Sequence, residues 1–270
     1  MKHIDTWVGG VVLAGFLIIA IFATWLSPYS PHEYTGAPLE RPNPIHLLGT
    51  NDVGQDLLSE LIYGGRISIL IALAAGGATV LLGLLVGLVA GAFGGWVDHI
   101  LMRMVDALLA IPRLPLMILI ISLMGYGLIS TILVISLLFW PTPARVVRAQ
   151  VISLRGRTYL NLARSFGGNP FYLIRRHLLP ACMPIALAAL AANAGRAVAM
   201  EAGLAFLGLG DPTAKSWGLM IRYGLDLPGI YLTDRWLWWV LPPALCITLL
   251  ILSFVMLSGA VEKQFNPRME

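Results

Sequence analysis

Charge is scarce in this chain of 270 residues: 12% are Asp, Glu, Lys or Arg, against 58% hydrophobic. A water-soluble domain carries about a quarter charged residues, so the shortage excludes an ordinary soluble enzyme. Cysteine is scarce too. Cys182 and Cys246 lie in apolar runs, where a thiol acts as a small hydrophobe, and they exclude a disulfide framework or a CxxC metal site. The five histidines (3, 32, 46, 99 and 177) are scattered without metal-ligand spacing, so no metal is expected on the chain. The phosphate-binding loop G-x-x-x-x-G-K-[ST] is missing. The Lys-Ser pair at Lys215-Ser216 has Leu209 and Ala214 where that loop needs glycines. This chain cannot bind ATP through that motif.

What is present is long apolar sequence. At about 20 residues per crossing the chain supplies roughly six spans, near 7–26, 67–95, 101–124, 128–149, 178–200 and 237–259. The pattern predicts an all-α membrane protein with six transmembrane helices. The first run is too long for a signal-peptide core and lacks a small-residue cleavage site, so it is expected to be retained. Three polar stretches remain, 27–66, 150–177 and 201–236, the first punctuated by Pro28, Pro31, Pro38, Pro42 and Pro44.

From Arg145 to His177 there are seven arginines and no acid, whereas 27–66 holds five acids against two arginines and 201–236 four acids against three cations. The positive-inside rule puts the arginine loop and both termini in the cytoplasm and the other two loops outside. The same rule accounts for 18 cations over 14 anions without nucleic acid as a partner.

Within the spans, Gly83, Gly87, Gly91 and Gly95 recur at every fourth residue, a smooth face for close helix approach. Arg103 and Asp106, one turn apart, are expected to pair locally, with a proton relay as the weaker alternative. Arg196 is expected to snorkel or to meet Glu201, with a substrate carboxylate as the weaker alternative. Trp236, Trp238 and Trp239 read as an interfacial belt.

The arginine loop reads "TYLNLARSFGGNPFYLIRRHLLP": helical to Phe166, broken at Gly167-Gly168-Asn169-Pro170, then helical to Pro180. Its apolar side chains Leu162, Phe166 and Phe171 need a partner surface; the alternative is an amphipathic helix lying on the membrane. Gly167 is expected to need a positive φ or a close approach to another surface.

The order Ala163-Arg-Ser-Phe-Gly167, nine residues, then His177-Leu178-Leu179-Pro180 resembles the EAA loop of ABC importer permeases, with Asn161-Leu162 where Glu-Ala is usual. Three more segments are similar to the peptide/nickel branch of that family. They are "HLLGTNDVGQDLLSELIYGGRIS" (46–68), "MRMVDALLAIPRLPL" (102–116) and "EAGLAFLGLGDPTAKSWGLMI" (201–221). Together these resemble the C-type permease subunit of a dipeptide, oligopeptide or nickel ABC importer.

The resemblance implies a type I permease fold, with a first helix and loop (1–65), a permease domain (66–262) and a cytoplasmic tail (263–270). It implies a non-catalytic transport subunit of the inner membrane, surrounded by lipid and partnered by a homologous permease, two ATP-binding subunits and an extracytoplasmic solute-binding protein. ATP and Mg would sit in the ATP-binding partners, with no cofactor on this chain. ATPase coupling would fall to Asn161, Leu162, Ala163, Arg164, Phe166, Gly167, Gly168, Asn169 and Pro170. Gate or binding-protein contacts would fall to Asp52, Asp56, Arg66, Glu201, Phe206, Gly208, Gly210 and Trp217. The outer segments 46–66 and 201–221 are expected to form short amphipathic helices. The solute stays open between peptides and a nickel chelate. The rival readings are a membrane scaffold without transport and an ion-gradient-driven secondary transporter. The latter needs embedded ionisable residues and internal repeats, and spans one, two, four and six have almost no such residues.

Overall fold

The computed structural model describes residues 2–265, and side chains over 6–263 apart from Arg164; most of the tail 263–270 lies outside the described residues. The helices in chain order are α1 (Lys2–Ile21), α2 (Ala23–Leu26), α3 (Leu57–Phe93), α4 (Gly95–Ala110), α5 (Arg113–Met124), α6 (Leu128–Phe139) and α7 (Pro141–Arg155). There follow α8 (Thr158–Ser165), α9 (Pro170–Leu173), a π-helical turn (Ile174–Leu178), α10 (Leu179–Phe206), α11 (Trp217–Asp226), α12 (Trp236–Trp239) and α13 (Leu241–Phe265). Among the described residues, β structure is confined to two isolated bridges, Tyr34 with Gln55 and Thr50 with Asp56.

The apolar runs become helices, with two changes of shape. Three segments, Leu57–Phe93, Pro170–Phe206 and Trp236–Lys263, are each long and apolar enough to cross a bilayer. The expected third span is instead two helices, α4 and α5, bent by 91°. The cause is Ile111-Pro112: the proline ring forces the residue before it out of the helical region, and Ile111 is extended at ψ 134°. The fourth span bends by 41° between α6 and α7. There Trp140 stays helical, but Pro141 and Pro143 remove two backbone donors and kink the helix. Counting each bent pair as one span gives up to five, besides the shorter apolar helix Thr6–Ile21.

α3 is the central element. α7 packs along one side of it and α10 along another; α13 lies on α10, and α1 on α13. The α3–α7 seam follows from the glycine spacing. A Cβ at Gly83, Gly87 or Gly91 would come within 2.7 Å of Pro143 Cγ, Ala144 O or Val151 Cβ, so no larger residue fits. Gly95 is not part of this seam, because Gly94 (φ +66°) ends α3 and Gly95 opens α4. Midway along α3, Gly76 abuts Ala194 of α10, and Ser136 of α6 donates to Ala75 O at 3.4 Å. One end of the bundle carries the loops 27–56 and 207–236, and the opposite end carries the arginine-rich segment 155–178.

Candidate functional site

At the arginine-rich end, α8 and α9 form a knuckle whose turn is dictated by four consecutive residues. Gly167 takes φ +84°, open to glycine and strained for a residue with a Cβ, as the sequence predicts. The Gly168 amide then donates to Ala163 O at 2.9 Å, the bond that closes a helix C-terminus of the Schellman type. A Cβ at Gly168 would lie 2.6 Å from that same oxygen, so both glycines are required. Asn169 starts the next helix by accepting from Tyr172 N at 2.7 Å, and Pro170 occupies the first helical position.

Beneath the knuckle the packing is ordinary: Leu160, Leu173 and Leu178 are buried with α7 and α10. His177 sits 5.9 Å from the ring of Tyr159 and 5.7 Å from that of Tyr172, joining the two arms. The far side is different. Phe166 is 89% exposed and Phe171 74%, with Leu162 and Tyr172 about half exposed. Ala163, Phe166, Gly167, Gly168, Asn169 and Tyr172 wall an open hollow. The structure thus gathers the predicted coupling residues 161–170 on one protrusion; the Arg164 side chain lies outside the described residues.

The α4 acids face α7. Arg148 Nη2 donates to Asp98 Oδ2 at 2.6 Å, and Arg145 donates to Asp106. The local Arg103–Asp106 pair is therefore not formed: α7 runs alongside α4 and offers its own cations to both acids.

The opposite end is built from two segments that the sequence separates widely. Lys215 Nζ donates to Glu60 Oε1 at 2.6 Å and to Gln55 Oε1 at 2.7 Å. Asn51 Nδ2 donates to the same two oxygens at 2.9 and 3.0 Å. Asn51, Gln55 and Glu60 are all buried, and the Lys215 side chain nearly so. Trp217, 2% exposed, donates its indole N–H to Leu61 O at 2.8 Å and lies flush on Gly64 and Gly65. Asp56 caps α3, accepting from Ser59 N at 2.8 Å and Ser59 Oγ at 2.7 Å, and its other oxygen meets His46 Nδ1 at 3.0 Å. Across this joint Gly208 (φ +84°) closes α10, with Leu209 N donating to Leu204 O at 2.9 Å, and Gly210 packs on Ala205. In the following loop burial opposes charge on Asp211. Hydrogen bonds from the Thr213 hydroxyl and from the amides of Thr213, Leu128 and Ala214 outweigh it and hold the carboxyl below its usual range.

Several expectations are corrected here. Residues 46–56 are not helical: they fold as turns, and the helix that begins at Leu57 runs unbroken into the second span. Of the residues expected at an outer contact, Asp52, Arg66 and Phe206 are exposed, whereas Asp56, Glu201 and Trp217 are buried within this chain. Glu201 faces a small cavity walled by Ile67, Leu128, Thr131 and Ser216. It does not meet Arg196, because five residues along a helix turn a side chain about 140° around the axis. Sequence reasoning missed the Glu60–Lys215 joint and Arg113, which donates to Thr142 Oγ1 at 2.9 Å and lies over the Phe139 ring. A usable signal for the first was Lys215, one of three lysines in an arginine-rich chain. Among the described residues, no three His, Cys, Asp or Glu side chains cluster so as to hold a metal.

With this geometry in place, residues 83–270 match the family of binding-protein-dependent transport system inner membrane components. Residues 6–44 match the N-terminal TM domain of oligopeptide transport permease C. The chain is 32% identical to the di/tripeptide transport system permease protein of Pseudomonas aeruginosa over 97% of its own length and 88% of the relative. It is 31% identical to a protein of Escherichia coli K12 named a probable D,D-dipeptide transport system permease, over 97% and 87%.

Proposed function

The chain belongs to the binding-protein-dependent transport system inner membrane components, and on that premise we propose that it carries peptides across the membrane as one of two permease chains. It is a multi-pass membrane transport subunit of an ABC importer, not an enzyme; ATP hydrolysis belongs to partner chains. The family membership sets aside the ion-driven transporter and the scaffold. The names of the relatives favour a peptide over a nickel chelate.

The observation that carries the coupling assignment is the uncovered knuckle. Phe166 and Phe171 stand in the open on a rigid turn, with the hollow of Ala163, Gly168, Asn169 and Tyr172 between them. An exposed apolar patch of this kind gains free energy only when another surface covers it. We assign that cover to an ATP-binding subunit, which makes the arginine-rich end cytoplasmic, in agreement with its seven arginines. Six crossings then bring both termini to the same side, with Thr6–Ile21 as the first and each bent pair counted once. The layout is a first helix and loop over 1–65, a permease domain over 66–262 and a tail over 263–270. A homologous permease lies alongside and two ATP-binding subunits, holding ATP and Mg, lie below. A solute-binding protein meets the loop-rich end near Asp52, Arg66 and Phe206, which are exposed there. Closure of the ATPases pushes the knuckle and rocks the bundle between its two openings.

The test is Gly167→Asp. The variant inserts and folds, because the turn lies outside the apolar bundle, but the Cβ strains φ +84° and places a charge in the contact. We expect copurified ATPase and transport to fall together, while Arg157→Gln, at an exposed position, leaves both within about twofold. Full transport by Gly167→Asp would remove 161–170 from the coupling role.

A further inference from the structure

Two arginines stand at half-depth in the apolar bundle. α5 and α6 make a hairpin of two 12-residue helices, each about 18 Å long and so about half the apolar thickness of a bilayer. The turn of the hairpin is at the loop-rich end, where Leu128 N donates to Asp211. The other ends, Arg113 and Phe139, therefore stop about midway across. The register on α3 agrees: Ser136, one turn from Phe139, donates to the carbonyl of Ala75, the middle residue of that helix.

Arg113 is held in place there. Its Nη2 donates to Thr142 Oγ1 at 2.9 Å, and the guanidinium lies 4.7 Å from the centroid of Phe139. Arg196 comes from α10, two residues beyond the Ala194 that packs on Gly76, so it too lies in the middle part of the bundle, a little nearer the loop-rich end. Its side chain is exposed, and its neighbour Ala197 packs in the same buried cluster as Phe139, the ring beneath Arg113. Of the acids nearest in sequence, Asp106 pairs with Arg145, and Glu201 is buried facing the small cavity at Ser216, its Oε2 without a hydrogen-bond partner. α5 begins at Arg113, so the positive end of a broken helix adds to the same place.

Arginine keeps its charge throughout the physiological range, and a charged side chain at mid-depth in hydrocarbon is expensive, so this pair faces water. From this juxtaposition we infer that Arg113 and Arg196 form an anion subsite halfway along the translocation path, which takes the carboxylate of the passing solute. The forked guanidinium donors match the two oxygens of a carboxylate. Thr142 and Phe139 fix Arg113 beforehand, so little rotamer freedom is lost when the solute arrives. A carboxylate between the two cations relieves their mutual repulsion. Naming that carboxylate as a peptide C-terminus rests on the peptide reading above; the subsite itself does not.

Two measurements on the importer assembled with all its partner chains decide it. In a cysteine-free background, Arg196→Cys is treated with a sulfonate-bearing and a quaternary-ammonium methanethiosulfonate. We expect the anionic reagent to react about ten times faster, and Arg113→Gln to abolish the preference. No reaction with either reagent, or no preference, overturns the subsite, the face then being covered by lipid or by the partner permease. In proteoliposomes loaded with ATP and supplied with the binding protein outside, uptake of dialanine should fall at least about tenfold in Arg113→Gln/Arg196→Gln, with copurification of every partner unchanged and partial recovery in the Lys pair. Loss of the partner permease from the double variant, or uptake within about twofold of wild type, also overturns the subsite. A wild-type importer that takes up neither dialanine of either hand nor a tripeptide overturns the peptide reading alone, and the reagent preference still decides the subsite.

Discussion

The two ends of α3 are finished in opposite ways. At its start, Asn51, Gln55, Glu60 and Lys215 satisfy one another out of water, and Trp217 seals them against Leu61, Gly64 and Gly65. At its far end, the knuckle of α8 and α9 is anchored by Leu160, Leu173 and Leu178 but presents Phe166 and Phe171 to solvent. A polar group removed from water must find its partner at once, so the first end is a closed joint within one chain. An aromatic ring left in water gains only from a surface that is still to come, so on the proposed coupling the second end is half of a contact. The lesson is that satisfied polar burial marks where this subunit is complete, and unsatisfied apolar exposure marks where it is not.

Substitutions sharpen this contrast. The largest loss of stability is expected for Lys215→Met, which leaves the carboxylate of Glu60 buried without its cation, at a cost of about 3–5 kcal/mol. Adding Glu60→Gln should return most of that, because the charge that needed the lysine is gone; thermal unfolding of the detergent-solubilised subunit compares the two. If the double variant is no more stable than the single, the joint is held by packing and not by charge. Gly168→Ala comes next. Its Cβ would crowd Ala163 O, a cost of about 1–3 kcal/mol confined to the knuckle. Amide exchange should therefore accelerate over 158–172 while the melting temperature of the bundle holds. Smallest in stability is Phe166→Ala, within about 0.5 kcal/mol because the ring is already in water. It should nonetheless reduce the amount of ATPase recovered with the complex. A large drop in melting temperature for Phe166→Ala would show that the ring supports the fold, and the contrast between the two ends would collapse.

The knuckle is legible in the sequence because its physics is local. Gly167, Gly168, Asn169 and Pro170 each act within a few residues, through chirality, a cap bond and a missing donor. The α3–α7 seam is legible for the same reason, since Gly83, Gly87 and Gly91 fall on one face by periodicity alone. Gly95 departs from the series because the positive φ of Gly94 has already ended the helix. The bend between α4 and α5 escapes a hydropathy reading, which averages over a span and carries no direction, although Ile111-Pro112 holds the breaking signal. The partner of Asp106 lies 39 residues away on α7, and that of Glu60 lies 155 residues away in a loop. No period connects such pairs; only the packing of the helices brings them within reach. Arg196 shows the same blindness on a smaller scale, since proximity in sequence to Glu201 suggests a pair that the helix geometry forbids.

One consequence follows from the length of α3. It runs 37 residues without a proline, about 55 Å from tip to tip, and its middle rests against α10 where Gly76 meets Ala194. A stiff rod on a central fulcrum acts as a seesaw. A tilt of about 10° displaces its tips by about 5 Å in opposite directions. One tip receives the Arg155 guanidinium on the carbonyl of Gly91, close to the knuckle, and the other carries Glu60 and, through Lys215, the loop 207–216. On the proposed coupling, a shove delivered at the arginine-rich end would be returned, reversed in sense, at the loop-rich end.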